Sequence, residues 1–338
     1  MPTTKLDSVQ LLARVVHDDV VSAKSVHGLG HQIAEVRHVA DIARDGSAVR
    51  PALSSSDGRS GMGSSRHRLG FRRAPEGERH VSEPRTIQSA PHFWRSKFTV
   101  EERYVSAVAR RWLYVSATIL IVLGITFFAF VLSGVLNHAG VTELDQPVQR
   151  WIDAQRVPFT TAVMIVLTIT FGPVVLPIII LIVTVVWLLF AKHAWRPLIL
   201  AGAMISGVII STTLAQVVHR HRPPTNLMLI GNDTTFSFPS GHVLGASDFL
   251  IITAFLIVSR APKAWGVTLA LGLAWIGVLA EMFSRMYLGY HWLSDTLASL
   301  SISMVIVGTV IAIDTRRTVR VRGERVHGEL SKAQTDGT

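Results

Sequence analysis

Three polar clusters interrupt an otherwise apolar chain. His219-Arg220-His221-Arg222-Pro223-Pro224 closes one apolar run, and Pro239-Ser240-Gly241-His242 opens the next. Ser284-Arg285, followed by His291 and Asp295, bridges the last two runs. Pro239-Ser240 reads as a helix start, because Ser is a good N-cap and Gly241 leaves the first amides open to close approach. Free amides at the positive end of a helix dipole are a ready place for phosphate, and His242 falls in that first turn. His291 and Asp295 are four residues apart, so on a helix they share a face. A carboxylate there fixes the imidazole tautomer and leaves the other ring nitrogen free to attack. Arg222 and Arg285 add planar forks that suit phosphate oxygens. The chemistry these residue types point to is phosphoryl transfer.

The elements that must position them are membrane spans. Of 338 residues, 49% are apolar and 17% charged, a charge content below the quarter or so usual in soluble domains. Mean hydropathy is +0.39. Crossing the hydrocarbon core takes about 20 apolar residues. Trp112–Val135, Leu198–Val218, Ala264–Phe283 and Trp292–Ile313 satisfy this, and the shorter Val243–Val258 reads as a further span. Phe159–Phe190 is too long for one simple span and holds Gly172, Pro173 and Pro177; it reads as a half-buried helix followed by a span from about Val174. The fold class is therefore all-α, a polytopic bundle of about six transmembrane helices. Between the first two runs, Val148, Trp151 and Ile152 mark an amphipathic piece suited to the interface.

The chain divides into a mostly disordered N-terminal extension (1–105), a membrane domain (106–314) and a basic tail (315–338). From Asp45 to Arg95 the sequence is rich in Ser, Gly, Arg and Pro, which bury too little apolar surface to offset their ordering entropy. The net charge of +10 raises nucleic acid as a partner, but position along the chain argues against it. Arg110, Arg111, Lys192, Arg196, Arg260, Lys263, Arg316, Arg317, Arg320 and Arg322 all flank spans on one side. That side is the cytoplasm by the positive-inside rule, and both termini lie there. The three polar clusters fall on the other, extracytoplasmic side. Cysteine is absent, which excludes disulfides and thiolate metal sites.

Pro239-Ser240-Gly241-His242, and Ser284-Arg285 with His291 and Asp295 at spacing S-R-x5-H-x3-D, resemble the signature of the type 2 phosphatidic acid phosphatase superfamily, in its bacterial integral-membrane lipid phosphatase branch. The resemblance covers about residues 113–314. It implies that His291 is the nucleophile, forming a phosphohistidine, with Asp295 orienting it. It implies that His242 is the general acid and then the base that activates water. Arg222, Arg285, Ser240 and the Gly241 amide would hold the phosphoryl oxygens, with no metal and no cofactor. One position departs: the superfamily's first motif is K-x6-R-P, and seven residues before Arg222 stands Ala215. Arg220 or His219 is the nearest replacement for the missing charge.

Other polar residues have plainer readings. Glu281 is four residues before Arg285 and suits an orienting salt bridge. Ser284 is a support residue beside that arginine. His138 and His193 read as interfacial, and Asp248, inside a span, as a pairing or functional acid. Leu227–Ile230 read either as loop packing or as a patch that touches the outer leaflet beside the substrate entrance, and Phe236 and Phe238 read as loop core.

The function expected is hydrolysis of a lipid phosphate or pyrophosphate of the undecaprenyl pyrophosphate, phosphatidylglycerol phosphate or phosphatidic acid type. The partners are then the bilayer and its lipid, with no oligomeric state indicated. The alternative is a catalytically weakened lipid-phosphate-binding protein, because of Ala215. A haem cytochrome would need paired histidines deep within spans, whereas His219, His242 and His291 all lie at span ends.

Overall fold

A computed structural model describes residues 97–260, 264–326 and 330–333. The N-terminal extension up to residue 96 and Lys263 lie outside them. The described chain is a polytopic helical bundle with a small sheet at one end. Its long helices are α1 (Ala107–Asn137), α5 (Trp195–Val218), α6 (Gly241–Val258), α7 (Ala264–Tyr287) and α8 (Leu293–Thr318). All five are long and apolar enough to cross a membrane. The short α2 (Asp145–Asp153) carries the amphipathic piece, with Ile152 buried and Trp151 exposed.

α3 (Pro158–Thr170) and α4 (Val175–Phe190) meet at a 53° bend and together can serve as a sixth span. The break sits at Gly172-Pro173, where proline removes an amide and disfavours helix in the residue before it. Pro177, expected to break the run as well, does not. It stands in the first turn of α4, where the amide has no intrahelical acceptor to lose.

α8 is the centre of the bundle, packed on α1, α6 and α5. Ala117, Leu200, Leu244, Ile252, Ile302, Ile306 and Val310 form the main apolar core. Association of helices in lipid rests on close packing rather than on a hydrophobic driving force, which favours small residues at contacts. Gly124 and Gly308 serve that purpose. A Cβ at Gly124 would stand 2.7 Å from the Ser301 carbonyl, and one at Gly308 2.8 Å from the Ala117 carbonyl.

At the end of the bundle away from the polar clusters, β1 (Val100–Val105) pairs in parallel with β2 (Val319–Val321) and β3 (Ser331–Ala333). Thus the last residues of the segment assigned to the extension, and the first of the tail, are ordered together. Arg320 pairs with buried Glu102 at 2.8 Å, and Arg260 with Glu101 at 2.7 Å. Of the basic residues that the span count placed on one side, Lys192, Arg196, Arg260 and Arg320 lie at this end.

Candidate active site

The opposite end collects the three clusters. α5 ends at His219, whose left-handed backbone (φ 52°) turns the chain sharply. The loop then runs past Arg220 and Arg222 to Ser240, which caps α6 by accepting from the Val243 amide at 3.5 Å. Two further first-turn amides, of Gly241 and His242, have no acceptor within the helix. A Cβ at Gly241 would meet nothing within 4 Å, so the backbone of this first turn is open to close approach on that side. Between α7 and α8, Gly289 (φ +79°) makes the tight turn that delivers His291. No other residue fits there, because a Cβ would fall 2.2 Å from the Leu227 carbonyl.

His291 is buried and held at both ring nitrogens. Nδ1 donates to the Ser237 carbonyl at 2.8 Å, which leaves Nε2 as the lone-pair nitrogen. Nε2 accepts from Arg222 Nη1 at 3.0 Å. Burial, then the Arg222 and Arg285 guanidiniums, push the His291 pKa well below its ordinary value. A neutral imidazole with a fixed tautomer is a competent nucleophile once Arg222 turns from its Nε2 lone pair to the phosphate.

The orienting bond expected from Asp295 is not formed. Asp295 Oδ2 lies 3.6 Å from His291 Nδ1 and instead accepts from the Trp292 amide at 2.9 Å, as the third residue of α8 reaching back to its cap. Its Oδ1 accepts from Arg220 Nη1 at 2.6 Å. Arg220 also donates to Ser294 Oγ at 2.7 Å and to Asp145 Oδ2 at 2.6 Å. Arg220 therefore does not replace a phosphate-binding lysine, because its guanidinium is committed to two buried carboxylates. His219 does not either. Its ring stands edge-on to Phe236, 4.5 Å between centroids, and is exposed.

The two phosphate-type arginines differ in readiness. Arg222 uses all five N–H groups: Nε to the Thr235 carbonyl, Nη1 to the Tyr290 carbonyl and to His291, Nη2 to Thr235 Oγ1 and to Asp233. Arg285 is buried, lies over the Tyr290 ring at 4.7 Å, and donates through Nη1 to Thr168 Oγ1 at 3.1 Å. Its Nε has no partner. The expected salt bridge with Glu281 is absent; both Glu281 oxygens are buried without a hydrogen-bond partner. The guanidinium reaches toward Thr168 and Tyr290, leaving Glu281 one turn further along the helix. Ser284 ties α7 to α3, donating to the Met164 carbonyl at 2.8 Å.

His242 lies within electrostatic range of Arg285, His291 and Arg222. Its Nε2 is 3.6 Å from where a Cβ on Gly172 would stand, so the ring fits against the α3–α4 break. The structure thus brings His242, His291, Arg222 and Arg285 together beside the α6 N-terminus, with Asp295 behind.

Several contributors left no trace in the sequence reading. Asp145 accepts from the Ser294 amide at 2.9 Å and its hydroxyl at 2.7 Å, besides Arg220. Ser237 acts through its carbonyl, and Thr168, Thr235 and Tyr290 through contacts to arginine. Of the apolar loop residues some pack inward, whereas Leu229 is exposed. Met228 and Ile230 join Ile152, Tyr287 and Leu288, and Phe238 is fully buried against Val131 and Ala298.

Residues 196–318 match the family model described as PAP2 superfamily. Phosphatidylglycerophosphatase B of Bacillus subtilis (strain 168) is 24% identical over 195 residues, 55% of this chain and 91% of the relative. Undecaprenyl-diphosphatase BcrC of the same organism is 28% identical over 130 residues, 37% of this chain and 62% of the relative. The crystal structure of a transmembrane PAP2 type phosphatidylglycerolphosphate phosphatase from Bacillus subtilis superposes with TM-score 0.53 at 21% identity, covering 60% of this chain and 99% of that one. The matched stretch, residues 196–318, carries Arg222, Ser240, His242, Arg285, His291 and Asp295.

Proposed function

We propose that the protein hydrolyses a lipid phosphate or pyrophosphate through a phosphohistidine at His291, on the extracytoplasmic face of the cell membrane. The observation that carries the reading is the His291 ring, with Nδ1–H tied to the Ser237 carbonyl and the Nε2 lone pair turned to the Arg222 guanidinium, the group a phosphate would engage. In the first step Nε2 bonds to phosphorus as the ester oxygen leaves, and protonated His242 gives that oxygen its proton. In the second, water attacks the phosphohistidine, His242 takes a proton from it, and His291 is released with inorganic phosphate. Arg285 and the Gly241 and His242 amides hold the equatorial oxygens, joined by Arg222 once it is released from part of its loop contacts.

The site lies at span ends, where a head group in water and a tail in lipid are accommodated together. Phosphatidylglycerol phosphate, polyprenyl pyrophosphate and phosphatidic acid all meet that demand. The opposite end carries the clustered basic residues and is the cytoplasmic one under the positive-inside rule. Phosphate release from detergent-solubilised protein tests the reading, with a panel of these three substrates naming the preferred one. Release that persists in EDTA and is lost in His291→Ala is the expected result. EDTA-sensitive release, or release retained in His291→Ala, would overturn it.

A second reading, a weakened lipid-phosphate binder, is favoured by two observations: Ala215 in place of lysine, and an Arg222 with every donor occupied. It predicts phosphate-lipid binding without turnover, both in the natural chain and in Ala215→Lys.

A further inference from the structure

The end of the bundle opposite His291 holds a second cationic cavity, of about 230 Å³, between β1, the end of α4, the start of α5 and the end of α6. Lys192, Arg196 and Arg260 line it against one carboxylate, Glu101, with His193 beside them and Trp187 and Trp195 on its apolar side. Much of this charge has work elsewhere. Arg196 donates to the Leu256 carbonyl and to Ser259 Oγ, which closes the C-terminus of α6. Arg260 donates twice to Glu101, to the side chain at 2.7 Å and to the backbone carbonyl at 2.9 Å. Three polar atoms remain: the donors Arg196 Nε and Arg260 Nε, and the ring nitrogen His193 Nδ1, are all buried without a hydrogen-bond partner.

Buried donors are nearly always satisfied, so an orphan calls for an explanation. Three around one cavity, with a surplus of positive charge and Lys192 exposed at the rim, share one explanation. Tryptophans mark the level of the membrane boundary, and juxtamembrane basic clusters attract anionic head groups. Planar guanidinium edges and an ammonium together suit a tetrahedral oxyanion.

We propose that this cavity binds a phosphate-bearing anion, separately from the catalytic site. The phosphate is either that of a phospholipid head group in the adjacent leaflet or free inorganic phosphate.

Native mass spectrometry of the full-length, detergent-purified protein tests this, with inorganic phosphate and short-chain phosphatidylglycerol as separate probes. Arg260→Gln should weaken binding at this cavity by about tenfold or more, the worth of one charge-assisted hydrogen bond. Lys192→Gln should weaken it by a smaller factor. Lys192 has no side-chain hydrogen bond or ion pair among the described residues, so this variant keeps the test valid if Arg260→Gln misfolds. Binding should persist in His291→Gln, and the catalytic rate should be unchanged in Lys192→Gln. Adducts with phosphatidylglycerol alone assign the site to a lipid head group, and adducts with phosphate as well assign it to the bare anion. Adducts that are absent, or indifferent to Lys192→Gln and His193→Gln, or lost in His291→Gln, would overturn the proposal.

Discussion

Arg220 and Asp295 are joined by a 2.6 Å charge-assisted hydrogen bond, and the same guanidinium holds Asp145 at 2.6 Å. Both carboxylates are buried, with Asp295 fully so. Arg220 thus clamps the first turn of α8, directly after His291, to the first turn of α2. Removing one partner of a buried ion pair leaves an uncompensated charge, at a cost of about 3–5 kcal/mol. Arg220→Gln should therefore lower thermal stability and depress kcat, with KM nearly unchanged because the Arg220 guanidinium is held by Asp295, Ser294 and Asp145. Arg220→Lys should recover part of the rate, since it restores the charge but not the fork. A rise in KM at constant kcat would instead make Arg220 a substrate ligand.

Asp233 stands against Arg222, 3.2 Å from Nη2 and part-exposed at the mouth of the site. A phosphate that engages Arg222 must displace at least one of its present partners, and this carboxylate is the anionic one. Asp233→Asn removes that competitor and its repulsion of an incoming phosphate. A charged hydrogen bond is worth about 1.5–3 kcal/mol, so KM should fall by about tenfold or more. Steady-state kinetics decide: an unchanged or higher KM means that Asp233 assists binding rather than opposing it.

His291 must be neutral to attack. Burial and two nearby guanidiniums lower its pKa from the ordinary 6.5. The fraction of neutral His291 falls only as pH drops through that lowered value. The acid limb that it contributes to the rate of phosphohistidine formation should therefore lie below pH 6.5, and above it any fall in rate belongs to the general acid His242 and not to His291. Rapid-quench measurement of the phosphoenzyme across pH checks this. An acid limb above 6.5 would require a charged partner that raises the His291 pKa. Replacing Arg222 by Gln removes the second-largest cause of the depression, so it should move the limb upward.

The residues that carry the chemistry were legible because their types are unusual at span ends and their spacing is short. His291, Asp295, Arg285 and the Pro239–His242 run announce themselves. What they bind to was less legible. The helical spacing of His291 and Asp295 suggested a direct bond, but His291 stands in the turn before α8, and the capping demand of Trp292 takes the carboxylate. The carbonyl that does orient His291 belongs to Ser237, and a backbone acceptor leaves no mark in residue identity. Asp145 meets Arg220 across 75 positions, a distance no local pattern spans. Glu281 and Arg285 have the right separation for a pair, and tertiary contacts with Thr168 and Tyr290 override it.

Gly289 and Gly140 give a controlled comparison. Both have positive φ, +79° and +64°, and in both an added Cβ carries the left-handed penalty of about 1–2 kcal/mol. They differ in space: nothing lies within 4 Å of a Cβ at Gly140, whereas at Gly289 the Leu227 carbonyl lies 2.2 Å away. Backbone cannot yield there cheaply, because the Leu229 amide donates to the Leu288 carbonyl at 3.1 Å and Arg156 donates to Leu227 and Tyr287 at 3.0 Å. Gly140→Ala should cost stability by the conformational penalty alone and leave the rate intact. Gly289→Ala should cost more, and should also lower kcat, because relief of the clash displaces Tyr290 and His291, the two residues that follow. Thermal melts and turnover of the two variants in parallel separate the effects. Equal losses in stability, or a rate unchanged in Gly289→Ala, would show that the turn does not set the position of His291.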